Sequence, residues 1–250
     1  MRKENTIVAQ HCWVWGHRGY PSCYPENTAA GFAAAIATGV NGIETDLQLT
    51  ADGEVVLFHD THLERVTNLN GLVRSKRWSE LQLARVRRPN GDLSTEGLLR
   101  LEDLFRLFAK TTQYCLELKP VEETRRTLVE RTIETLQQMG MTSQIMISSF
   151  DVASLQLLAT HMPDIPRALA ISPFDVDTWQ QSMSACSPQW VHLHYQDWES
   201  WQALGDSRVH AALWGFTSSD QISLTLKNQW PAALFVDDPH WPYVPRLAPC

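Results

Sequence analysis

The sequence predicts a (β/α)8 barrel of the α/β class, and two observations favour it. Short apolar runs alternate with helical patterns over most of the 250 residues, as parallel strands joined by helices would. Eight of these runs are placed as successive barrel strands, and eight is the number that closes such a barrel. An open doubly wound sheet is the alternative, but no G-x-G-x-x-G motif follows the first strand.

The predicted elements follow one another at regular intervals. The barrel strands begin at residues 12, 42, 114, 145, 167, 190, 209 and 232, and an extra strand covers 54–58 after a hairpin-like turn. Asn27 or Thr28 is suited to cap the first helix, and the later helices lie at 101–108, 121–139, 152–159, 176–183, 198–204 and 221–226. Glycine, proline and asparagine break the segment 61–100. We expect it to be a small insertion after the second βα unit, within a single domain covering 1–250.

Composition narrows the classes of function. The net charge of −7 disfavours a general nucleic-acid binder, because a phosphate backbone would be repelled. Five cysteines without a C-x-x-C motif indicate a reduced chain. The N-terminus lacks the apolar region of a signal peptide, and no run reaches the roughly 20 apolar residues of a membrane helix. A cytoplasmic protein without a transmembrane segment is expected, and its oligomeric state is not determined by the sequence.

Polar residues gather where predicted strands end. These residues are His17, Glu44, Asp46, His59, Glu117 and Lys119. In a parallel barrel the carboxyl ends of the strands meet at one face, which is where active sites lie. Glu44 and Asp46 are two apart and share one side of their strand. Since buried unpaired carboxylates are costly, a divalent cation is expected between them, and oxygen ligands favour Mg²⁺ or Ca²⁺ over Zn²⁺.

Several other polar residues can be interpreted either as part of a functional site or as structural contacts. Glu117 and Lys119 are compatible with a third metal ligand and a phosphate contact, or with a plain surface ion pair. Arg18 is suited to hold a phosphate oxygen or to pair with an acid. His192 and His194 suit a transition-metal site, or one of them faces the barrel and the other the helices, or both have structural partners. Core packing is favoured over binding of an apolar tail or a choline head group for the aromatic residues near them: Trp190, Tyr195, Trp198 and Trp201.

Nine short motifs resemble those of the glycerophosphodiester phosphodiesterase family. The motifs are H-R-G (17–19), P-E-N-T (25–28), E-x-D (44–46), L-T-x-D-G (49–53), H-D (59–60), R-x-T (65–67), E-L-K (117–119), S-S-F-D (148–151) and D-D-P (237–239). The resemblance spans nearly the whole chain. It departs from the family at W-G-F-T (214–217), at Val236 and at L-L-R-L-E (98–102), so the pocket wall is less family-like than the motifs.

The resemblance implies a function and a role for each site residue. It implies a divalent cation held by Glu44, Asp46 and Glu117, a general acid–base pair formed by His17 and His59, and phosphate contacts from Arg18 and Lys119. The implied reaction converts a glycerophosphodiester into sn-glycerol 3-phosphate and an alcohol. The nucleophile is either the glycerol 2-hydroxyl, through a cyclic phosphate, or water. A lysophospholipase D-like activity and a catalytically silent phosphodiester-binding barrel are the rival interpretations.

Overall fold

The computed structural model describes residues 12–109, 111–227 and 229–241. The N-terminal segment that is predicted to carry no signal peptide lies outside these residues, as does Cys250. Within them, Cys12, Cys23, Cys115 and Cys186 are free thiols, as a reduced chain requires. Across the same residues we find no helix with both the length and the apolar character needed to span a bilayer.

Eight parallel strands close into a barrel. The barrel strands are β1 (Trp13–Gly16), β2 (Gly42–Leu49), β4 (Gln113–Leu118), β5 (Ile145–Ser149), β6 (Arg167–Ile171), β7 (Trp190–His194), β8 (His210–Trp214) and β9 (Ala233–Val236), and β3 (Val55–Leu57) is a ninth strand beside them. Their order is β1-β9-β8-β7-β6-β5-β4-β2, and β1 pairs with β2 to complete the circle. The extra strand β3 pairs antiparallel with the end of β2. The predicted barrel is confirmed.

Helices follow the strands and cover the outside of the barrel. They are α1 (Ala29–Ala37), α3 (Leu101–Phe108), α4 (Arg125–Met139), α5 (Val152–His161), α6 (Val176–Cys186), α7 (Trp198–Leu204) and α8 (Ser219–Leu226), whereas the short helix α2 (Trp78–Leu81) lies in the segment 61–100. Of the two expected caps for α1, it is the Thr28 hydroxyl that accepts a hydrogen bond from the Gly31 N–H at 3.2 Å. α4 ends at Gly140, whose φ of 64° is the left-handed conformation that glycine adopts without steric cost.

The two sides of each strand are buried in different surroundings. Side chains such as Ile43, Leu47 and Leu116 pack outward against the apolar face of the helices. Alternate side chains point inward, where a second cluster fills the barrel interior: Trp15, Cys115, Met146, Ala168, Ala212, Ala233 and Phe235. Because successive residues of a strand alternate in direction, the polar residues at every second position all enter the barrel.

The segment 61–100 builds a small layer of its own. It contains α2 and one turn of 3-10 helix, Val73–Ser75, and it encloses an apolar cluster around Leu63, Leu81 and Val86. The segment therefore holds only short helices. The expected position is wrong, because the chain returns along β3 and enters this segment before α3, so the segment interrupts the second βα unit instead of following it. The assignment of 1–250 to one domain stays a prediction.

Candidate active site

The predicted site residues surround one cavity at the carboxyl ends of the strands. The cavity has a volume of about 120 Å³. Its lining consists of His17, Arg18, Glu44, His59, Glu117, Lys119, Ser148, Phe150, Ala170, His192, Trp214 and Phe235. Asp46, the seventh residue predicted to form the site, is 1% exposed beside it. The barrel thus brings together all seven side chains that the sequence selected.

Three carboxylates meet on two adjacent strands. Asp46 on β2 is in register with Glu117 on β4, and Glu44 precedes Asp46 by two residues on the same inner face. One carboxylate oxygen from each residue lies within 4.8 Å of the others. This proximity follows from parallel pairing, because residues in register on neighbouring strands point the same way.

Glu44 is buried with half of its carboxylate unsatisfied. Its Oε2 accepts a hydrogen bond from the Arg18 N–H at 3.0 Å. Its Oε1 is buried and has no hydrogen-bond partner among the described residues. Burial, together with the negative charge of Asp46, raises the pKa of Glu44 to about 8. Without a further cation this carboxylate resists ionisation at neutral pH.

Asp46 is held ionised by its neighbours. The Asn27 side chain donates to its Oδ2 at 3.1 Å, and the Lys119 ammonium lies 3.3 Å from its Oδ1. Burial opposes the charge, but Lys119 and Arg18 outweigh it, so the pKa of Asp46 is lowered. Asn27 is fixed in turn by the Thr45 hydroxyl, which donates to its Oδ1 at 2.7 Å.

His17 lies directly after β1 and contacts an acid from the opposite end of the chain. Its Nδ1 is 2.7 Å from Asp237 Oδ1, and its Nε2 is 4.0 Å from Glu44 Oε2. Burial and the charge of Arg18 disfavour the protonated ring. The hydrogen bond to Asp237 and the charge of Glu44 outweigh both, so the pKa of His17 is raised.

His59 lies after β3 and is more exposed. Its Nδ1 is 2.7 Å from Asp60 Oδ1. Burial, aided by the nearby positive charges of Arg18 and Lys119, lowers the pKa of His59. The Gln48 amide donates to the backbone carbonyl oxygens of Phe58, His59 and Asp60, and this fixes the turn that carries the ring.

Asp60 links His59 to a chain of charges. Arg65 approaches both Asp60 oxygens, at 2.5 and 3.0 Å, and both Glu26 oxygens, at 2.9 and 2.8 Å. Although burial opposes it, the hydrogen bond from Arg65 helps to lower the pKa of Asp60 to about 2. This series of ion pairs extends to the other side of the site because Arg18 lies 3.4 Å from Glu26.

Two cations complete the site. Arg18 has a φ of 54° and lies in a tight turn before Gly19. A Cβ at position 19 would come within 2.8 Å of the Gly31 backbone, so the turn requires glycine there. The Arg18 Nε lies 3.4 Å from Asp46 but does not form a hydrogen bond with any described residue. The Lys119 ammonium is 2.5 Å from Glu117. Burial opposes its charge, but Glu117 and Asp46 raise the pKa of Lys119.

Four polar residues that position the site were not assigned to it by the sequence. They are Asn27, Gln48, Asp60 and Asp237. Three of them occur in the P-E-N-T, H-D and D-D-P motifs, so the motifs contained these positions but did not indicate what each residue does. Gln48 lies in no quoted motif, but it follows Glu44 and Asp46 at the strand period of two.

Comparison with known proteins identifies the family. A model of the glycerophosphoryl diester phosphodiesterase family matches residues 17–240. The chain belongs to this family. It is therefore a phosphoric diester hydrolase by descent, as the motifs of its sequence suggested.

Individual relatives agree with the family match. The chain is 31% identical to a glycerophosphodiester phosphodiesterase of Bacillus altitudinis over 173 residues, which cover 65% of this chain and 67% of the relative. A glycerophosphodiester phosphodiesterase of Caldanaerobacter subterraneus is 29% identical over 172 residues, covering 68% of this chain and 71% of the relative. The chain thus spans about two thirds of the length of these relatives.

Solved structures match over a longer range. An Oleispira antarctica phosphodiesterase, solved in complex with its product sn-glycerol 3-phosphate, superimposes with a TM-score of 0.83 at 25% identity. The match covers 91% of this chain and 93% of that one. A Thermotoga maritima glycerophosphodiester phosphodiesterase matches with a TM-score of 0.71 at 24% identity and covers 92% and 96%, which supports the fold.

Proposed function

We propose that this chain hydrolyses glycerophosphodiesters to sn-glycerol 3-phosphate and an alcohol, with His17 and His59 as the acid–base pair. The observation that carries the proposal is the convergence of two histidines, three carboxylates and two cations on one cavity. Family membership supports the same reaction class.

The carboxylate cluster fits a divalent cation. Glu44, Asp46 and Glu117 offer oxygens within 4.8 Å of one another, and Glu44 Oε1 lacks a partner in the described part of the chain. An all-oxygen set suits Mg²⁺ or Ca²⁺. When bound, such an ion supplies positive charge against a phosphate oxygen, which offsets the repulsion between an anionic diester and its nucleophile.

The two histidines are suited to transfer the two protons of the reaction. One accepts the proton of the attacking hydroxyl, and the other donates a proton to the departing alkoxide. Asp237 and Asp60 each contact the Nδ1 of one ring, which leaves both Nε2 atoms for the substrate. Carboxylates in this position fix the orientation and the tautomer of an imidazole.

Arg18 and Lys119 are proposed to bind the phosphate. Both line the cavity, and Arg18 Nε is a buried donor without a hydrogen-bond partner among the described residues. A guanidinium and an ammonium on either side of the carboxylates would balance the charge that develops on the phosphate oxygens.

The attacking group defines two routes. In the first, the glycerol 2-hydroxyl forms a bond to phosphorus, loses its proton to one histidine and expels the alcohol, and water then opens the cyclic phosphate. In the second, water attacks directly. A substrate lacking the 2-hydroxyl tests the first route, which requires that this substrate is not turned over.

Release of glycerol 3-phosphate tests the function. We expect release from glycerophosphocholine, glycerophosphoethanolamine or glycerophosphoglycerol in the presence of Mg²⁺ or Ca²⁺, and we expect a chelator to stop it. If a folded protein released no glycerol 3-phosphate from any of these with either cation, the chain would be a binding barrel and the proposal would fail.

A second candidate function is a lysophospholipase D-like activity. Phe150 is 49% exposed and packs edge-to-face against Trp214 at 6.3 Å, so the cavity has an aromatic rim that an acyl chain could contact. Competition between glycerophosphocholine and lysophosphatidylcholine in one reaction measures which substrate has the higher kcat/KM.

A further inference from the structure

His192 occupies the wall of the cavity opposite the charged groups. It lies on the inner face of β7, is 5% exposed, and packs against the Phe235 ring with 4.8 Å between centroids. Its neighbours in register on the two adjacent strands are Ala170 and Ala212, whose small side chains leave the imidazole at the cavity surface. No step of the proposed reaction uses this ring.

Its Nε2 is a buried polar atom without a hydrogen-bond partner among the described residues. Two other residues that line the same cavity carry such an atom, Glu44 with Oε1 and Arg18 with Nε. The proposed cation and the phosphate of the substrate would account for those two. Since buried polar groups in native proteins are almost always paired, the same reasoning gives His192 a partner on the ligand.

The surroundings of His192 identify the kind of partner. Burial lowers the pKa of His192 to about 3, so the ring is uncharged at neutral pH. A neutral imidazole offers one N–H and one lone pair, which suits a hydroxyl better than an ion. The adjoining wall, Ala170, Trp214 and Phe235, contains no charge, whereas β2 and β4 hold the carboxylates.

We propose that His192 binds the terminal hydroxyl of the glycerol moiety, the one farthest from phosphorus, and selects substrates in which that hydroxyl is free. The proposal rests on the proposed function, since it takes the ligand to be a glycerophosphodiester. It follows that an acyl chain on this hydroxyl removes the donor and adds bulk against a closed wall. The aromatic rim would then receive the released alcohol instead of an acyl chain.

Binding of the reaction product separates this role from simple packing. We would titrate sn-glycerol 3-phosphate, its analogue without the terminal hydroxyl, and inorganic phosphate into the Mg²⁺-supplied protein in a calorimeter. One hydrogen bond to a hydroxyl corresponds to about tenfold in Kd. The wild type should bind glycerol 3-phosphate about tenfold more tightly than the analogue, and His192→Phe should bind both equally.

Two further variants complete the experiment. His192→Gln retains a donor and an acceptor and should recover part of the preference. His194→Phe is the matched control, because His194 is on the same face two residues later but packs against Tyr195 and Trp214 and does not line the cavity. It should keep the full preference, and all variants should bind inorganic phosphate alike.

Equal binding of both ligands by the wild type would overturn the proposal, as would an undiminished preference in His192→Phe. If His192→Phe failed to fold, His192→Leu would decide, because an undiminished preference in a variant without polar side-chain atoms would contradict a direct contact. Failure of the proposed function appears elsewhere, as absence of turnover with any diester, and leaves this binding comparison intact.

Discussion

The strands β1–β4 and the strands β5–β9 contribute different things to the same cavity. All seven residues that the motifs predicted lie on or directly after β1–β4. The strands β5–β9 supply a wall that is mostly apolar, with Phe150, Ala170, Trp214 and Phe235, and a single carboxylate from Asp237. The difference suggests that the first side sets the reaction and that the second sets which substrate fits. Changes on the first side should then reduce kcat or cation binding, and changes on the second should alter selectivity.

The largest effect on kcat is expected when either of the two proposed acid–base residues on the first side is replaced. His17→Ala or His59→Ala should lower kcat by about 10²- to 10⁴-fold, the usual contribution of a positioned acid or base. Steady-state release of glycerol 3-phosphate measures it, with circular dichroism to verify folding.

His62→Ala is the matched control for these two variants. His62 lies three residues after His59 but is exposed, contacts the Thr61 hydroxyl at 3.0 Å and does not line the cavity. Its replacement should leave kcat unchanged. Near-normal turnover in His17→Ala or His59→Ala would show that the proposed roles are wrong.

The next largest effect concerns cation binding on the same side. Glu44→Gln and Asp46→Asn should each weaken Mg²⁺ or Ca²⁺ binding by at least tenfold, because each replaces one of the three proposed carboxylate ligands by an uncharged amide. Calorimetric titration with the cation alone measures this without relying on activity. Glu123→Gln, an exposed carboxylate elsewhere, should bind the cation like the wild type. Unchanged affinity in both site variants would exclude the proposed ligands.

A smaller effect tests the one carboxylate that the second side contributes. Asp237→Asn should reduce kcat by about 10- to 100-fold, which corresponds to the 1.5–3 kcal/mol of a hydrogen bond to a charged group. Asp237 helps to raise the pKa of His17, so its loss lets that pKa fall. The limb of the pH–rate profile that belongs to His17 should therefore move to lower pH.

Asp238→Asn provides the comparison within the same motif. Asp238 accepts a hydrogen bond from the His240 N–H at 2.9 Å, whereas the His17 ring contacts Asp237. Its replacement should leave the pH–rate profile in place. An identical response of the two variants would mean that Asp237 acts through the fold and not through His17.

The sequence predicted the first side better than the second for a physical reason. The prediction that Glu44 and Asp46 share a face needed only the strand period of two, which holds locally. The place of Glu117 beside them rested on the resemblance of E-L-K (117–119) to the family, because the residues alone left a surface ion pair with Lys119 open. The eight strands were placed correctly from short apolar runs.

The remaining features depend on contacts between distant parts of the chain. Asp237 contacts His17 across 220 residues, which only closure of the barrel between β1 and β9 brings about. The position of segment 61–100 depended on recognising β3 as a return strand within the second unit. For His192 and His194, the sequence left a metal pair, opposite orientations and structural partners open, and only the structure shows that His192 lines the cavity and that His194 packs against Trp214.

The smallest expected effect lies where the two sides join. Asp151, before α5, accepts hydrogen bonds from the Ser154 N–H at 2.9 Å and from Arg125 of α4 at 2.7 and 3.1 Å. Asp151→Ala should lower the free energy of unfolding by about 1 kcal/mol, the usual cost of losing an N-cap carboxylate. The ion pair adds only a fraction because it is partly exposed. Urea unfolding at pH 7 measures the loss.

The pKa of Asp151 determines how its contribution to stability changes with pH. Burial opposes the charge of Asp151, but Arg125 and Ser154 lower its pKa in the folded state. Its contribution is therefore complete above the unfolded pKa of about 3.9 and declines as the pH falls below it. Asp175→Ala is the control, since Asp175 caps α6 through the Thr178 N–H but forms no salt bridge within the described part of the chain. If both variants lost the same stability at pH 7, the Arg125 contact would not stabilise the junction between the two sides.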